Sequence, residues 1–311
     1  MSVVTVTINP CLDRSFEVER MIPDRKLAAK DVRIGPGGGG INVARVVTRL
    51  GGSVLGLWSS GGTTGQLLSR LLDEEAVTHE AVAIGREIRE NVMVRDESTA
   101  QQFRFGMPGP DIDADGRRAW DERIRALGQT ADLQYVVFSG SVPEAVSPAW
   151  YAQLLATVPA GVRLIVDTKA AALEQALHHG VFLVKPNVRE LEDVLGFSFS
   201  DDSDIEEAAR GVIRDGGAQA VLVSLGGAGA LLVTADVARR ITAPAVRLVS
   251  KVGAGDSMLG AVVAALSDGK DLLEAARRGV AAGAAAVATP GTELCAREQV
   301  ERLLNSMKYA A

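Results

Sequence analysis

Short apolar runs alternate with longer stretches of helical periodicity over most of this chain. The first run, residues 3–8, is rich in β-branched residues and stops at Asn9-Pro10, which is typical of a buried strand. Further strands are predicted at 54–58, 135–139, 164–167, 182–185, 221–225 and 231–234. Helices are predicted at 41–50, 65–75, 148–157, 188–195, 205–215, 257–266 and 272–288. This alternation predicts an α/β fold, with a mostly parallel sheet flanked by helices.

Two segments break the alternation and indicate half-exposed strands outside the main sheet. Residues 15–20 alternate apolar with polar side chains, and residues 91–95 and 101–105 suggest a hairpin. We therefore predict one domain over residues 1–311, with a small β-sheet lid made from excursions at about 12–34 and 88–107.

The lid strands carry apolar residues at alternate positions, among them Phe16, Val18, Val92 and Val94. A single-layer sheet needs cover on its second face. The sequence therefore predicts a homodimer joined through the lids.

Composition narrows the range of partners. The 311 residues include 33 Lys plus Arg and 39 Asp plus Glu, giving a net charge of −6, and no long basic block occurs. Nucleic acids and anionic membranes are poor candidates, because both need a sustained basic stripe. No apolar run approaches the roughly 18 residues of a membrane span. The start also lacks the basic segment of a secretory signal. We expect a cytoplasmic protein that binds small ligands.

The residues from Ser250 to Ser257 (SKVGAGDS) precede an apolar helical run. Side-chain-poor residues at a helix start leave amides free to bind an anion such as a transferring phosphoryl group. Asp256 would then stand where a carboxylate can accept the proton of an attacking hydroxyl. The alternative is a glycine turn in which Asp256 is an ordinary N-cap.

The glycine run at residues 35–40 contains the string G-x-G-x-x-G. A dinucleotide-binding motif needs a preceding core strand and an acidic residue about 20 positions on. Neither is present, since residues 41–72 contain no Asp or Glu. We interpret the glycines as letting a hydroxyl-rich ligand lie against the backbone, with Asn42 bonding a hydroxyl. A flexible loop is the alternative.

Two further loops follow predicted strands. Asn187 and Glu190 have the spacing of a capping box, which would explain both residues without a ligand. Glu190 could instead hold a hydrated Mg²⁺, and Lys185 could neutralise nucleotide phosphates. The residues from Ser224 to Gly229 (SLGGAG) offer amides at the edge of the sheet where ligands bind in α/β folds. The chain lacks G-x-x-x-x-G-K-[ST], H-R-D and D-F-G, which excludes a P-loop ATPase and a protein kinase.

These motifs together resemble a known family. GGGGINVAR at 37–45 and GAGD at 253–256 are similar to the two signatures of the ribokinase-like (PfkB) sugar kinases. The segments NPCLD at 9–13, QFRFGMPG at 102–109, SGS at 139–141, KPN at 185–187 and TPGT at 289–292 resemble the phosphofructokinase and tagatose-6-phosphate kinase branch. The resemblance implies a three-layer α/β domain with a β-sheet lid.

On the substrate side, the resemblance implies a role for each matching residue. Asp256 would be the base, and the anion hole would be Gly253, Ala254 and Gly255. The sugar would be held by Asp13, Gly38, Gly39, Asn42 and Ser139. The phosphate already on the sugar would meet Lys26, Arg89 and Arg104.

On the nucleotide side, the resemblance implies a site lined by Lys185, Asn187, Ser224, Gly226, Gly229 and Gly283. Glu190 would position Mg²⁺ through water. A monovalent cation, K⁺ for example, would involve the backbone around Ser250, Val252, Ala286 and Gly291.

The all-glycine stretch Gly37 to Gly40 bears on the substrate, because the 1-phosphofructokinase and tagatose-6-phosphate kinase patterns usually carry a Lys there. The form in this chain resembles the minor, PfkB-type 6-phosphofructokinases, which implies phosphorylation of fructose 6-phosphate by ATP. Those two kinases remain alternatives. From other classes, an NAD(P)-dependent oxidoreductase and a non-catalytic sugar-phosphate sensor remain open. Cys11 departs from the smaller residue expected beside Asp13.

Overall fold

The computed structural model describes residues 2–250, 252–289 and 293–307. The strands, in chain order, are β1 Val3–Thr7, β2 Cys11–Val18, β3 Lys30–Gly37, β4 Val54–Ser60, β5 His79–Ala83, β6 Arg89–Asp96, β7 Gln102–Phe105, β8 Tyr135–Ser139, β9 Arg163–Asp167, β10 Val181–Val184, β11 Ala218–Ser224, β12 Ala230–Thr234 and β13 Ala238–Ile241. The α-helices are α1 Gly39–Arg49, α2 Gly62–Glu74, α3 Ala114–Ala126, α4 Pro148–Ala156, α5 Ala170–His179, α6 Val188–Leu195, α7 Asp202–Arg214, α8 Ala254–Ser267, α9 Leu272–Val287 and α10 Arg297–Met307.

A nine-stranded sheet in the order β13-β12-β11-β10-β9-β8-β1-β4-β5 forms the centre of the molecule. Its strands are parallel from β11 to β5, and at one edge β12 pairs antiparallel with β11 and β13 pairs antiparallel with β12. The central strands are apolar at nearly every position because both faces are covered by helices. The predicted parallel α/β fold is confirmed.

Helices cover the two faces of the sheet as two separate layers. On one face, Val4 and Val6 of β1 lie in a buried cluster with residues of α3 to α7. On the other face, Val3 lies in a cluster with residues of α1, α2, α8 and α9. Successive side chains of a strand point to opposite faces, so one β-branched strand supplies both cores. None of the helices in the described ranges has the length and apolar character needed to cross a bilayer.

A second sheet in the order β3-β2-β6-β7 forms the predicted lid. The β6–β7 hairpin predicted from the sequence is present, and β2 joins it in parallel with β6. Strand register places Asp13 opposite Asn91, and Met93 opposite Arg104. These positions share one face of the lid, and Arg14 belongs to the other.

The outer face of the lid differs from the sequence-based expectation in one respect. Val18 and Val94 are buried within the protomer, with 2% and 4% exposed, although Val94 lies opposite Phe103 on the same face of the lid. The exposed apolar side chains of the lid are instead Val32, Ile34, Phe103 and Phe105, with 58%, 37%, 36% and 46% exposed.

Several elements were not predicted, chiefly β3, β5, β13, α3, α5 and α10. In α3 only three residues are buried, among them Trp120 and Ile124, so its apolar periodicity is weak. The helix is stabilised instead by its cap, because the Asp113 side chain accepts a hydrogen bond from the Gly116 amide. The predicted helix at 257–266 begins earlier than expected, at Ala254.

Candidate active site

The site is centred on the first turn of α8. Gly253 has a left-handed backbone, with φ of 73°, and is the residue that precedes the helix. A Cβ there would lie 2.6 Å from Leu294 Cδ2, so space as well as conformation requires glycine. The first amides of a helix have no acceptor within it, so those of Ala254 and Gly255 point out of a positively polarised end. The structure therefore offers an anion-binding turn at these residues.

Asp256 lies in the first turn of α8, which has no side-chain cap. Its interpretation as an N-cap is therefore wrong. The carboxylate instead accepts a hydrogen bond from Asn42, with 2.7 Å between Nδ2 and Oδ2. Burial, and then the negative charge of Asp13, raise the pKa of Asp256, against the opposing effects of the Asn42 hydrogen bond and the Lys185 charge. A raised pKa makes this carboxylate a stronger base than an exposed one.

Arg45 lies behind Asn42, one turn along α1, and sequence reasoning missed it. The guanidinium is buried and donates from Nη1 to Asn42 Oδ1 at 3.0 Å and to the Pro36 carbonyl at 3.1 Å. Its Nε and Nη2 donate to the two carboxylate oxygens of Glu75 at 2.9 and 2.6 Å. An Arg among the apolar residues of an otherwise buried helix face was the signal that could have found it.

The glycine run packs against the ends of two central strands. A Cβ on Gly39 would lie 2.5 Å from the Gly140 amide nitrogen and 2.5 Å from Ser139 Oγ, beside β8. A Cβ on Gly40 would lie 2.5 Å from Thr7 Oγ1. Protein atoms, rather than a ligand, therefore exclude side chains at these two positions, which corrects the reason predicted for them. Gly38 has φ of 114°, a left-handed conformation that also favours glycine.

Asp13 lies on β2 in a small polar cluster. Asn91 Nδ2 donates to Asp13 Oδ1 at 3.1 Å and to Cys11 Sγ at 3.1 Å. The Cys11 thiol donates to Asp13 Oδ1 at 3.2 Å. Burial, followed by the Asp13 charge, raises the pKa of Cys11 well above its usual range, which keeps the thiol neutral. Asn91, which sequence reasoning did not single out, thus fixes the Asp13 carboxylate.

A cavity of about 240 Å³ opens beside this cluster. Its lining includes Asp13, Asn91, Arg89, Arg104 and Val252. Arg89 is anchored by Nη2, which donates to the Asn9 carbonyl at 3.3 Å, and its buried Nε has no partner among the described residues. Two arginines in the lining of one cavity favour an anionic ligand.

The other residues predicted for the substrate site do not line this cavity; they are Lys26, Gly38, Gly39, Asn42 and Ser139. Lys26 is exposed on the segment between β2 and β3, outside the cavity. Ser139 is buried at the end of β8, and its Oγ has no hydrogen-bond partner among the described residues.

Lys185 follows β10 and is buried beside the anion-binding turn. A Cβ on Gly255 would lie 3.5 Å from its Nζ. The ammonium pairs with Asp167 Oδ2 at 3.0 Å. Burial alone would lower the pKa of Lys185, but the charge and hydrogen bond of Asp167, together with the charges of Asp256 and Glu190, outweigh burial and raise it. The ammonium is therefore charged where the anion would bind.

Asp167 was missed by sequence reasoning. Burial raises its pKa to about 6, although the Lys185 charge opposes the shift. Its position was the available signal, because an acid at the carboxyl end of β9 must lie beside the end of the neighbouring β10.

Asn187 and Glu190 form the capping box of α6. Each side chain bonds the other residue's amide, at 2.9 Å in both directions. Helix capping, which needs no ligand, therefore explains both Asn187 and Glu190. Glu190 is only partly buried, and its charge also contributes to the raised pKa of Asp167, so it lies near the Lys185 pair.

The remaining predicted nucleotide residues also have structural roles. Ser224 ends β11, and its amide donates to the Pro186 carbonyl at 2.9 Å. Gly226 has a left-handed backbone, with φ of 59°, and a Cβ on Gly229 would lie 1.9 Å from the Ile241 carbonyl oxygen. Gly283 lies in α9, where a Cβ would be 3.3 Å from the Ala254 carbonyl oxygen. Gly283 therefore allows α9 to pack against the start of α8.

The residues predicted around a monovalent cation are only partly described. The Val252 amide donates to Ser250 Oγ at 3.2 Å, and the Ser250 amide donates to the Val287 carbonyl at 3.1 Å. The Ala286 carbonyl accepts from the Thr289 hydroxyl at 2.7 Å. Gly291 lies outside the described residues.

Within residues 2–250, 252–289 and 293–307, no group of three or more His, Cys, Asp or Glu side chains is arranged to hold a metal ion. Glu190 is partly exposed, so its carboxylate could contact a hydrated Mg²⁺ through water, the form in which Mg²⁺ takes few protein carboxylates.

The family model of the pfkB family carbohydrate kinases matches residues 4–299. The chain belongs to this family. It is 40% identical over 302 residues to the ATP-dependent 6-phosphofructokinase isozyme 2 of Mycobacterium tuberculosis H37Rv, covering 96% of this chain and 88% of the relative. It is 38% identical over 303 residues to the isozyme 2 of Escherichia coli K12, covering 97% of each. A 1-phosphofructokinase of Bacillus subtilis is more distant, at 31% over 308 residues, or 98% of each chain.

Solved structures of phosphofructokinase-2 from Escherichia coli share the fold of this pfkB family member. The complex with potassium matches with a TM-score of 0.93 at 36% identity, covering 99% of both chains. The complex with fructose-6-phosphate matches with a TM-score of 0.91 at 35% identity and the same coverage. A tetrameric inhibited form of the same protein matches with a TM-score of 0.91 at 35% identity, again over 99% of both chains. The ribokinase-like three-layer fold and the carbohydrate kinase class predicted from the sequence are confirmed, in preference to an oxidoreductase.

Proposed function

We propose that this protein is an ATP-dependent 6-phosphofructokinase, which transfers the γ-phosphoryl group of ATP to the 1-hydroxyl of fructose 6-phosphate. The observation that carries the proposal is the placement of Asp256. Its carboxylate lies in the first turn of α8, next to the outward-facing amides of Ala254 and Gly255, and is held by Asn42 at 2.7 Å. A base and an anion-binding turn therefore adjoin each other, as phosphoryl transfer to an alcohol requires.

In the proposed step, one bond to the γ-phosphorus forms and another breaks. The 1-hydroxyl oxygen forms a bond to the γ-phosphorus, the bond from that phosphorus to the β–γ bridging oxygen breaks, and ADP leaves with the electron pair. Asp256 accepts the hydroxyl proton as the new bond forms. The amides of Gly253, Ala254 and Gly255 and the ammonium of Lys185 offset the charge on the phosphoryl oxygens.

On the sugar side, Asp13 and Asn42 hold hydroxyl groups, together with the loop at Gly38 and Gly39 and the hydroxyl of Ser139. Arg89 and Arg104 bind the 6-phosphate, since both line the cavity next to Asp13. Arginine suits this role because its planar fork can donate two hydrogen bonds to one phosphate. Lys26 is assigned to the same phosphate, which requires a movement of its exposed segment toward the cavity.

On the nucleotide side, the phosphates lie near Lys185. The rest of ATP follows the edge formed by Asn187, Ser224, Gly226, Gly229 and Gly283. Mg²⁺ accompanies ATP and neutralises phosphate charge when bound, and Glu190 contacts it through water.

Potassium is assigned to the backbone around Ser250, Val252, Ala286 and Gly291, as a stimulating ion. Replacing K⁺ by tetramethylammonium at constant ionic strength should lower kcat, and unchanged kcat would remove this assignment.

Fructose 6-phosphate is favoured over the alternatives by the glycine run. A lysine at its third position would add a cation near the sugar, whereas Gly39 leaves no room for any side chain there. The identity to 6-phosphofructokinases, 38–40%, also exceeds the 31% shared with the 1-phosphofructokinase of Bacillus subtilis. Tagatose 6-phosphate remains the second candidate because it differs from fructose 6-phosphate only at one hydroxyl-bearing carbon.

The test is a coupled ADP-release assay with fructose 6-phosphate, fructose 1-phosphate and tagatose 6-phosphate at matched concentrations. The highest kcat/KM is expected for fructose 6-phosphate, with fructose 1,6-bisphosphate as the product. A higher kcat/KM for another sugar would replace the substrate and leave the kinase reaction in place. Binding of the sugars without ADP release from any of them would favour a sugar-phosphate sensor.

Two further parts of the proposal concern assembly and location. The exposed apolar face of Val32, Ile34, Phe103 and Phe105 favours a homodimer joined through the lids. Because both proposed substrates are small phosphorylated metabolites, we place the enzyme in the cytoplasm, with no nucleic acid or membrane partner.

A further inference from the structure

We infer that Arg45 is a positioning residue of the reaction, which fixes the side-chain amide of Asn42 so that its NH₂ group faces the carboxylate of Asp256. The inference rests on the proposed function, in which Asp256 is the base. It adds Arg45, and Glu75 as the counterion of Arg45, to the residues that control that base.

The Asn42 side-chain amide is held in one orientation. Asn42 is buried, and its two ends face different partners: Oδ1 accepts from Arg45 Nη1 at 3.0 Å, and Nδ2 donates to Asp256 Oδ2 at 2.7 Å. An amide rotated by half a turn would place its oxygen against the carboxylate and its NH₂ group against a guanidinium that can only donate. Arg45 therefore admits one orientation, the one that stabilises ionised Asp256.

Arg45 is itself held in place by burial and by several hydrogen bonds. The guanidinium side chain is 7% exposed. Its three nitrogens bond to Glu75, Asn42 and the Pro36 carbonyl. Burial alone would raise the pKa of Glu75, but hydrogen bonds and charge from Arg45 and then Arg49 hold the pKa below its ordinary value. Glu75 is therefore ionised at neutral pH and compensates the buried cation, which would otherwise be costly.

Several charged groups surround the carboxylate of Asp256. The charged groups around it are Lys185 after β10, Asp13 on β2 and Arg45 on α1, and its own charge acts in turn on Asp167 at the end of β9. Of these groups, only Arg45 also bonds the residue that donates to Asp256. Loss of Arg45 therefore removes a positive charge and releases the Asn42 amide at the same time.

The chain offers a matched control in Arg49, one turn further along α1. Arg49 Nη2 donates to the same Glu75 oxygen, Oε2, at 3.1 Å, and its Nη1 donates to the Leu294 carbonyl. None of its hydrogen bonds reaches Asn42 in the described residues. Arg49→Met therefore removes an arginine from the same cluster without releasing the amide.

The experiment measures kcat and KM of the full-length enzyme for the parent, Arg45→Met, Arg45→Lys and Arg49→Met from pH 5.5 to 9, with circular dichroism as a check on folding. Arg45→Met should lower kcat roughly 10- to 100-fold, the usual effect of misplacing a reacting group. KM for ATP should stay within about threefold, because the lost hydrogen bonds lie on the sugar side of the site, whereas KM for the sugar should rise because Asn42 also holds a sugar hydroxyl. The acid limb of the kcat profile should move to higher pH.

Arg45→Lys should also lower kcat, because lysine lacks the planar guanidinium that holds the Asn42 amide. The acid limb of its kcat profile should move less than that of Arg45→Met, because lysine keeps the positive charge. Arg49→Met should keep both kcat and the limb of the parent. The inference is overturned if Arg45→Met has the same kcat and the same acid limb of the kcat profile as the parent. It is also overturned if Arg49→Met shows the same fall in kcat as Arg45→Met. If Arg45→Met does not fold, the kcat of Arg45→Lys decides. A parent that phosphorylates none of the sugars overturns the proposed function instead, and this result is visible before any variant is made.

Discussion

Asn42 and Asp256 are 214 positions apart in the sequence, and their side chains meet at 2.7 Å between Nδ2 and Oδ2. This contact joins the start of α1, which follows the lid, to the start of α8, which carries the proposed anion-binding turn. The two glycine-rich motifs of the sequence thus form opposite walls of one site. The predictions below test what each wall supplies.

Replacement of the proposed base gives the first prediction. Asp256→Asn should lower kcat by roughly 10²–10⁴, the usual contribution of a positioned base, because the amide cannot accept the hydroxyl proton. Binding of ATP and of fructose 6-phosphate, measured by calorimetry, should persist. Turnover within a few-fold of the parent would remove Asp256 from this role.

The pH dependence follows from the raised pKa of Asp256, which burial causes in the first place. A base works in its ionised form, so kcat falls as pH drops through this pKa, at a pH above the ordinary carboxyl value of about 3.9. Asn42→Ala removes a donor to the charged form and should move that limb to higher pH. Thr48→Ala, on the same helix, is the control. An unmoved limb in Asn42→Ala would show that the hydrogen bond does not tune the base.

The buried pair of Lys185 and Asp167 gives a prediction about stability. Asp167→Asn leaves a buried ammonium without its countercharge, which should lower the free energy of unfolding at pH 7 by roughly 3 kcal/mol. Glu207→Gln breaks the exposed pair with Arg214, and should cost less than about 1 kcal/mol. Urea unfolding measures both, and equal losses would show that burial adds nothing to the pair.

Asp167 also makes stability depend on pH. Its folded-state pKa of about 6 lies above the unfolded value, so the folded protein keeps a proton that the unfolded chain releases. The contribution of Asp167 to the free energy of unfolding therefore falls as pH rises from about 4 to 6. In Asp167→Asn this slope should be absent when urea unfolding is repeated across that range. A slope equal to that of the parent would assign the proton to another group.

The glycine run offers a matched pair of substitutions. Gly39→Ala places a Cβ 2.5 Å from the Gly140 amide nitrogen, whereas a Cβ on Gly35 would meet nothing within 4 Å. Gly39→Ala should destabilise the protein by about 1–3 kcal/mol, the usual cost of overpacking, and raise KM for the sugar. Gly35→Ala should remain close to the parent in thermal melting and in KM. Similar effects of both substitutions would mean that steric exclusion does not explain the run.

The lid supplies a prediction about assembly. Phe103→Glu places a charge on the exposed apolar face of the lid and should convert a dimer into monomers in sedimentation equilibrium at micromolar protein. Phe197→Glu changes an apolar side chain that is 54% exposed and lies outside the lid, so the mass should not change. A parent protein that sediments as a monomer would contradict the proposed dimer.

The sequence was sufficient where a local pattern carried the information. The parallel sheet, the lid hairpin and the helix after Gly253 all follow from apolar periodicity and glycine placement. Asp167 and Arg45 were not predicted because their significance depends on partners that are distant in sequence or lie on another element. The helix α3 was missed because a cap, rather than a long apolar stripe, stabilises it.

The lid is joined to α1 by a very short connection. Strand β3 ends at Gly37 and α1 begins at Gly39, so a single residue separates them, and Arg45 also bonds the Pro36 carbonyl. The connection between β3 and α1 is therefore too short to move independently, so tilting the lid must also move the helix that carries Asn42. An extra residue inserted in this connection would uncouple the two, whereas the distant tip near Ser98 could carry a fluorophore or a fused peptide without disturbing the chemistry.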